Sequence, residues 1–400
     1  AVTLADIQAA REVLRGTALV TPMEGSRWLS AMTGTHVTIK CENLQRTGSF
    51  KIRGAYLRIS KLSPEERARG VVAASAGNHA QGVALAAQLL GTQSTVFMPN
   101  GAPIPKEKAT RGYGAHVEFV GTTIDECLVR AKEFEAETGA VLIHPFDHPD
   151  IVAGQGTCGL EILEQAPDVK TVIVPTGGGG FLAGIALAIK AQRPDVRIVG
   201  VQAENAAAYP ASLEAGCPVP LQQMTTMADG IAVGCPGAVP FAAVQAVVDE
   251  IRTVSEESLS RALLALMERA KVVVEPAGAA AAAALMDTPN DFEGPIVVVL
   301  SGGNIDPLLL MRLIRHGMAA QGRFLAFRCR IPDRPGGLAT LLSQISATDA
   351  NVIDVVHERT AESLPIDQVE VVLQVETRGP THRESVLSRL RDNGYEVKVF

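Results

Sequence analysis

The chain predicts an α/β protein built on parallel sheets covered by helices, followed by a smaller module of ferredoxin-like order. Three observations predict it. Short apolar runs recur along most of the chain, separated by stretches whose apolar positions repeat with a period near 3.6. Strand and helix in strict alternation need crossover connections, and crossovers belong to parallel sheets. Near residue 315 the composition changes, and the order becomes strand, helix, strand, strand, helix, strand.

Residues 1–16, AVTLADIQAAREVLRG, read as a polar amphipathic helix without the basic-then-apolar order of a signal peptide. Strands are expected at 36–40 (HVTIK), 70–75 (GVVAAS), 94–99 (STVFMP), 115–120 (AHVEFV), 141–146 (VLIHPF), 171–176 (TVIVPT), 197–202 (RIVGVQ) and 295–301 (PIVVVLS). Stretches such as GNHAQGVALAAQLLG keep the helical period and close on a glycine. Residues 277–286, AGAAAAAALM, are too few and too alanine-rich to span a bilayer, so a buried, closely packed helix is expected. RHGMAAQGR supplies a linker, expected at 316–323. The module 324–400 runs FLAFRCRI, DRPGGLATLLSQISA, NVIDVVHERT, DQVEVVLQVE, HRESVLSRLRDNG and YEVKVF. It gathers no nucleophile, base and orienting group, so a regulatory or assembly role is expected.

Composition bounds the function. Of 400 residues, 47% are hydrophobic and 20% charged, ordinary for a soluble globular chain with ample length for a large core. A net charge of −7 gives no electrostatic case for nucleic acid or an anionic membrane as partner. Cys41, Cys127, Cys158, Cys217, Cys235 and Cys329 form no CxxC pair and match no zinc spacing. So sparse a set implies reduced thiols and a cytoplasmic setting.

In α/β folds, ligands bind at the carboxyl ends of strands, so the turns after apolar runs carry the chemistry. In TVIVPTGGGGFLAG a strand leads through Gly177, Gly178, Gly179 and Gly180 into a helix. Glycines let amide groups approach an anion, and the helix N-terminus adds its dipole; this is a phosphate cradle. It also fits the loose G-x-G-x-x-A dinucleotide pattern, but the acidic residue due at the end of the next strand is Gln202, with Glu204 late. In VVAASAGNHAQG, Ser75, Ala76, Gly77, Asn78 and His79 lie between strand and helix and suit a carboxylate, or else Ser75 caps the helix and His79 packs in the core. In PIVVVLSGGN, Ser301 follows a buried strand, where a hydroxyl could meet a neutral ring nitrogen. Lys51 in SFKIRGA completes the set, since burial lowers a lysine's pKa and favours the neutral amine that condenses with an aldehyde. A lysine, a phosphate cradle, a carboxylate cradle and a hydroxyl are what pyridoxal phosphate and an amino-acid substrate require.

GSFKIRGA, SAGNHAQG, GQGT, PTGGGGFLAG, ADGIAV, EPAGA and LSGGN, in that order over roughly residues 1–315, resemble the threonine/serine dehydratases, fold-type II pyridoxal-phosphate enzymes. DRPGGL and the strand–helix order make 324–400 similar to an ACT domain, so the whole resembles the threonine ammonia-lyases that carry one such domain. The resemblance implies a two-domain parallel-sheet catalytic region, 1–315, with a small domain about 41–139 inserted in the large one. It implies that Lys51 holds the cofactor and takes the Cα proton, Phe50 packs by the ring and Asn78 bonds the ring hydroxyl. Residues 177–180 and the Phe181 amide would hold the phosphate, Ser301 would face the pyridine nitrogen, and residues 75–79 would hold the substrate carboxylate. Asp229 and Gly230 either line the site or cap a turn.

The activity so implied is β-elimination of L-threonine to 2-oxobutanoate and ammonia, with L-serine to pyruvate beside it. Isoleucine or valine would act as effector at the ACT-like module of a homodimer or homotetramer. Serine dehydratase, hydroxyaspartate dehydratase and threonine synthase share the fold. A nicotinamide-dependent dehydrogenase using the glycine loop leaves Lys51 and SAGNH unexplained. Similar serine racemases carry a second serine in SSGNH, where this chain has Ala76, so racemisation is expected to be poor. Relatives with an activating metal place a glutamate and an aspartate after the VGV strand; Gln202 and Ala208 stand there, so no metal is expected.

Overall fold

The computed structural model describes residues 1–359 and 365–400. It divides into two compact units, Ala1–Asp306 and Pro307–Phe400. The strands of the first unit are β1 (Met23–Gly25), β2 (Val37–Cys41), β3 (Val71–Ala74), β4 (Ser94–Met98), β5 (His116–Phe119), β6 (Val141–Leu142), β7 (Thr171–Pro175), β8 (Arg197–Ala203), β9 (Glu250–Val254) and β10 (Ile296–Leu300). They form a six-stranded sheet, β1-β2-β10-β7-β8-β9, and a four-stranded sheet, β5-β4-β3-β6. Every pairing is parallel except β1 on β2.

Each strand expected from an apolar run is present. β7 and β10 bury every residue, as strands covered on both faces must. β1 and β9 were not expected. Both are edge strands, and MEG and EIRTV keep exposed or half-buried residues that leave no continuous apolar run. The run 141–146 was expected to be strand throughout, but β6 stops at Leu142. His144 ends it, because its Nδ1 accepts from the amides of Phe146 and Asp147 and folds the chain into a turn.

Sheet order sets up the site. β10 lies between β2 and β7, with Leu300 opposite Cys41 and Val298 opposite Ile173. Parallel strands end at the same edge, so the turns after β2, β7 and β10 emerge side by side. The alanine-rich stretch is the helix Pro276–Asp287, buried from Pro276 to Leu285. A side chain at Gly278 would collide with the Gly302 carbonyl, so the helix lies directly against the turn after β10.

The helix Lys51–Ser60 is tied to the larger sheet by buried charge. Arg53 donates to Glu42 through Nε at 2.8 Å and to Glu161 through Nη1 at 2.7 Å, and Lys40 donates to Glu161 at 2.6 Å. Burial opposes ionisation of Glu42 most strongly, yet the charge and hydrogen bonds of Arg53 together with Lys40 and Thr21 outweigh it and hold the carboxyl below its usual range. These groups are compensated one by one, which is what makes buried charge tolerable.

The second unit begins with the helix Pro307–Ala320, which runs through 316–320 of the expected linker. Only residues 321–323 lie outside regular structure, because Leu313 and Gly317, one turn apart, continue the buried stripe. Then come β11 (Phe324–Pro332), the helix Gly337–Ser346, β12 (Asn351–Glu358), β13 (Gln368–Glu376), the helix Pro380–Asp392 and β14 (Val397–Val399). Thr360, at the end of the strand expected at 351–360, lies outside the described residues. The antiparallel sheet has the order β12-β13-β11-β14, the ferredoxin-like arrangement expected. Leu325, Phe327, Cys329 and Ile331 alternate inward with Val369, Val371, Leu373 and Val375, giving this unit a core of its own.

Candidate active site

The residues between β2 and Lys51 are clamped to the turn after β10. Thr47 and Gly48 are both left-handed, with φ of 63° and 74°. Asn304 Nδ2 donates to the Thr47 carbonyl at 2.6 Å, and the Gly303 amide donates to that of Gly48 at 2.8 Å. The Phe50 amide donates to the Ser301 carbonyl at 3.3 Å. Lys51 is therefore set beside Ser301 as the first residue of its helix. Its Nζ donates to the Pro145 carbonyl at 3.0 Å and lies 5.1 Å from the centre of the Phe50 ring. Burial pushes this amine down to about 8, with Glu275 opposing. Ser301 is buried, and its hydroxyl has no hydrogen-bond partner among the described residues.

The four glycines follow β7, and Gly179, at φ 96°, caps the helix Gly180–Lys190. Side chains would collide with the Phe146 ring at Gly178 and with the Tyr209 hydroxyl at Gly179. No side chain caps this helix, and the amides of Gly178, Gly179, Gly180 and Phe181 have no acceptor among the described residues. Aligned donors without an acceptor at a helix N-terminus fit a phosphate. The Phe181 ring stacks on Phe50, centroids 3.9 Å apart, and so joins the glycine loop to Lys51. Gln202 is spent on structure: its Oε1 accepts from the Tyr209 amide at 2.9 Å.

The turn after β3 comes from the smaller sheet. The Ser75 hydroxyl accepts from the Gly77 amide rather than capping the helix Asn78–Leu89, whose cap is Gly77. The amides of Ala76, Asn78 and His79 have no acceptor among the described residues. His79 is buried with Nε2 2.7 Å from the Ile143 carbonyl, and burial lowers its pKa to about 3, so its ring packs as a neutral group. Asn78 Oδ1 accepts from Asn304 at 2.8 Å, and its Nδ2 donates to Glu275. Asn78 is thus held from both sides, at the Ser301 turn.

Three groups here were not singled out from the sequence. Glu275, the first residue of EPAGA, is 2% exposed, and burial followed by Asp229 raises its carboxyl to about 7. Its Oε2 is buried without a partner among the described residues. Asn304, in LSGGN, ties three turns together. Lys106, in the helix Ile104–Gly112, pairs with Asp229 at 2.6 Å. The one signal for Glu275 was an acidic residue directly before a helix that is apolar up to Met286; nothing local marked Lys106.

Residues 14–302 match the family described as pyridoxal-phosphate dependent enzyme. The chain is 46% identical to the L-threonine ammonia-lyase of Thermotoga maritima over 398 residues, 100% of this chain and 99% of that one. Among solved structures it is similar to the processed form of threonine deaminase isoform 2 from Solanum lycopersicum, 39% identical with a TM-score of 0.74 over 78% of this chain and 86% of that one. Maize serine racemase is 35% identical with a TM-score of 0.75 over 80% of this chain and 99% of its own.

Proposed function

The chain belongs to the pyridoxal-phosphate dependent enzyme family, and from that premise we propose that it deaminates L-threonine to 2-oxobutanoate and ammonia, the water lost on elimination being taken up again on hydrolysis. The cofactor is pyridoxal phosphate, the architecture is that of fold-type II, and the chain is a lyase, as the resemblance implied. One observation carries the reading. A buried amine, an uncapped set of loop amides and an unpartnered hydroxyl converge where β2, β7 and β10 end.

Those residues fit the cofactor, and their roles follow. The amides of Gly178, Gly179, Gly180 and Phe181 would hold its phosphate, Asn78 its ring hydroxyl, and Ser301 its ring nitrogen. Phe50 would pack by the ring. When bound, the cofactor supplies an electron sink for the Cα–H bond that breaks. Lys51 Nζ accepts the Cα proton, and its lowered pKa suits a base near neutral pH. The turn 75–79 holds the α-carboxylate on its free amides and fixes which Cα bond faces Lys51. The β-hydroxyl leaves as water, and hydrolysis of the eneamine product yields 2-oxobutanoate and ammonia. A hydroxyl rather than a carboxylate at the ring nitrogen weakens the sink, which favours prompt elimination over transamination; an unchanged product ratio in Ser301→Asp would sink that point.

L-Serine would react in the same way to pyruvate. The likeness to maize serine racemase favours a second reading, racemisation, but Ala76 stands where the SSGNH pattern of the resemblance has a second serine, so the face opposite Lys51 lacks that acid/base. L-Serine should therefore give pyruvate with very little D-serine.

Residues 324–400 are proposed to be an ACT-type module that binds isoleucine or valine within a homo-oligomer. A separate core and the ferredoxin-like order support this, as does similarity to the Thermotoga maritima enzyme along the whole chain. A cytoplasmic setting is proposed from the six unpaired cysteines; among the described residues no helix is long and apolar enough to cross a membrane.

The test is the visible spectrum of the purified protein with and without L-threonine. A yellow band that shifts with threonine, accompanies 2-oxobutanoate and is absent in Lys51→Ala supports the reading. A protein that stays colourless after pyridoxal phosphate is supplied overturns it.

A further inference from the structure

Lys106 and Asp229 reach the candidate site from different elements and meet there. Lys106 belongs to the helix after β4 of the smaller sheet, and Asp229 to the short turn Asp229–Ile231 beside the glycine loop. Their ion pair is unequal. Lys106 is 6% exposed, whereas the Asp229 side chain is 59% exposed. Asp229 can exchange its partner for water at little cost; a buried ammonium cannot, and needs an anion. Lys106 also lies against the turn 75–79, since a Cβ at Gly77 would come within 3.8 Å of its Nζ. The free amides of Ala76, Asn78 and His79 belong to that same turn.

We propose that Lys106 recognises the α-carboxylate of the substrate, and that Asp229 is its counter-ion only while that place is empty. The incoming carboxylate takes the ammonium on one side and the turn's amides on the other, and Asp229 turns to water. The exchange preserves charge balance around Lys106. It makes substrate entry a competition between two carboxylates for one buried cation. A ligand without a carboxylate gains nothing from it. This rests on the reading of the chain as an amino-acid lyase.

The competition predicts effects of opposite sign. In the holoenzyme, Lys106→Met should raise KM for L-threonine at least about tenfold with a smaller change in kcat, because binding energy is lost. Asp229→Asn should lower KM, because the competitor is gone. The double variant should behave like Lys106→Met alone. Binding of 1-aminopropan-2-ol, which lacks the carboxylate, should be the same in Lys106→Met and the parent, read from the cofactor's absorbance. If the pair is only a strap, both single variants raise KM by similar factors and weaken both ligands; that result overturns the inference. Melting temperature and cofactor content are recorded for each variant, and Lys106→Gln replaces Lys106→Met should that fail to fold. A parent enzyme that forms no 2-oxobutanoate from L-threonine overturns the underlying function instead, a different outcome from parallel KM shifts in an active enzyme.

Discussion

Lys51 releases its proton more readily than an ordinary lysine because burial pushes it down to about 8 and Glu275 offsets only part of that. Only the neutral amine condenses with an aldehyde. Capture of pyridoxal phosphate by the cofactor-free protein should therefore quicken about tenfold per pH unit below 8 and level off above it, followed by stopped-flow absorbance. A flat profile from about pH 6 to 9 would show that some other event limits capture. Glu275 behaves in the opposite sense. Its carboxyl rises from 4.5 to about 7, so between those values the folded protein binds more protons than the unfolded chain. That contribution is complete below 4.5 and is lost as pH rises through 7. At roughly 1.4 kcal/mol per unit, the loss is on the order of 3 kcal/mol. Glu275→Gln keeps an acceptor for Asn78 and carries no charge. Its melting temperature should gain on the parent as pH rises from about 5 to 8, in cofactor-free protein. Parallel curves would mean that the carboxyl does not titrate in that window.

The glycine loop is an element whose backbone is fixed from behind by Phe146 and Tyr209. Gly179→Ala must place a side chain at φ 96° and against the Tyr209 hydroxyl. It should lose bound cofactor on gel filtration while the helix content stays near that of the parent; retained yellow colour would mean that the loop does not hold the phosphate. The helix Lys51–Ser60 depends on Arg53 in another way. Arg53→Met removes the ion-pair partner of buried Glu42 and leaves Glu161 with Lys40 alone, and should cost about 3–5 kcal/mol in chemical denaturation. The contrast between these elements is also the contrast between what the sequence discloses and what it hides. Turns after apolar strands were legible because glycines, Ser301 and SAGNH punctuate the chain where β7, β10 and β3 end. β9 was not, since EIRTV at a sheet edge carries no apolar run, and the apolar letters of HPF hid the turn made by His144. Arg53–Glu161, Asn78–Glu275 and Lys106–Asp229 join residues far apart in sequence, and no local pattern encodes such partners. The turns that form the candidate site were thus readable, whereas the charges beside them were not.

At the scale of the molecule, two compact units share one chain. The family match stops at residue 302, and every site group lies in the first unit, Ala1–Asp306. Similarity to the Thermotoga maritima enzyme also runs through the second unit. Regulation through that unit requires an effector to bind two states of the protein unequally. Couplings of this kind are about 1–3 kcal/mol, or roughly 5- to 150-fold in affinity. Isoleucine or valine added to the full chain should therefore change the half-saturation for L-threonine by a factor in that range. Linkage demands the reciprocal effect: an unreactive carboxylate-bearing analogue of threonine should change the affinity for the effector by the same factor, measured by calorimetry. A shift in turnover without the reciprocal shift in binding would place the effect on a chemical step instead. If neither amino acid changes activity or the sedimenting size of the full chain, the regulatory role falls, and assembly is what remains for a separately cored unit with no catalytic cluster.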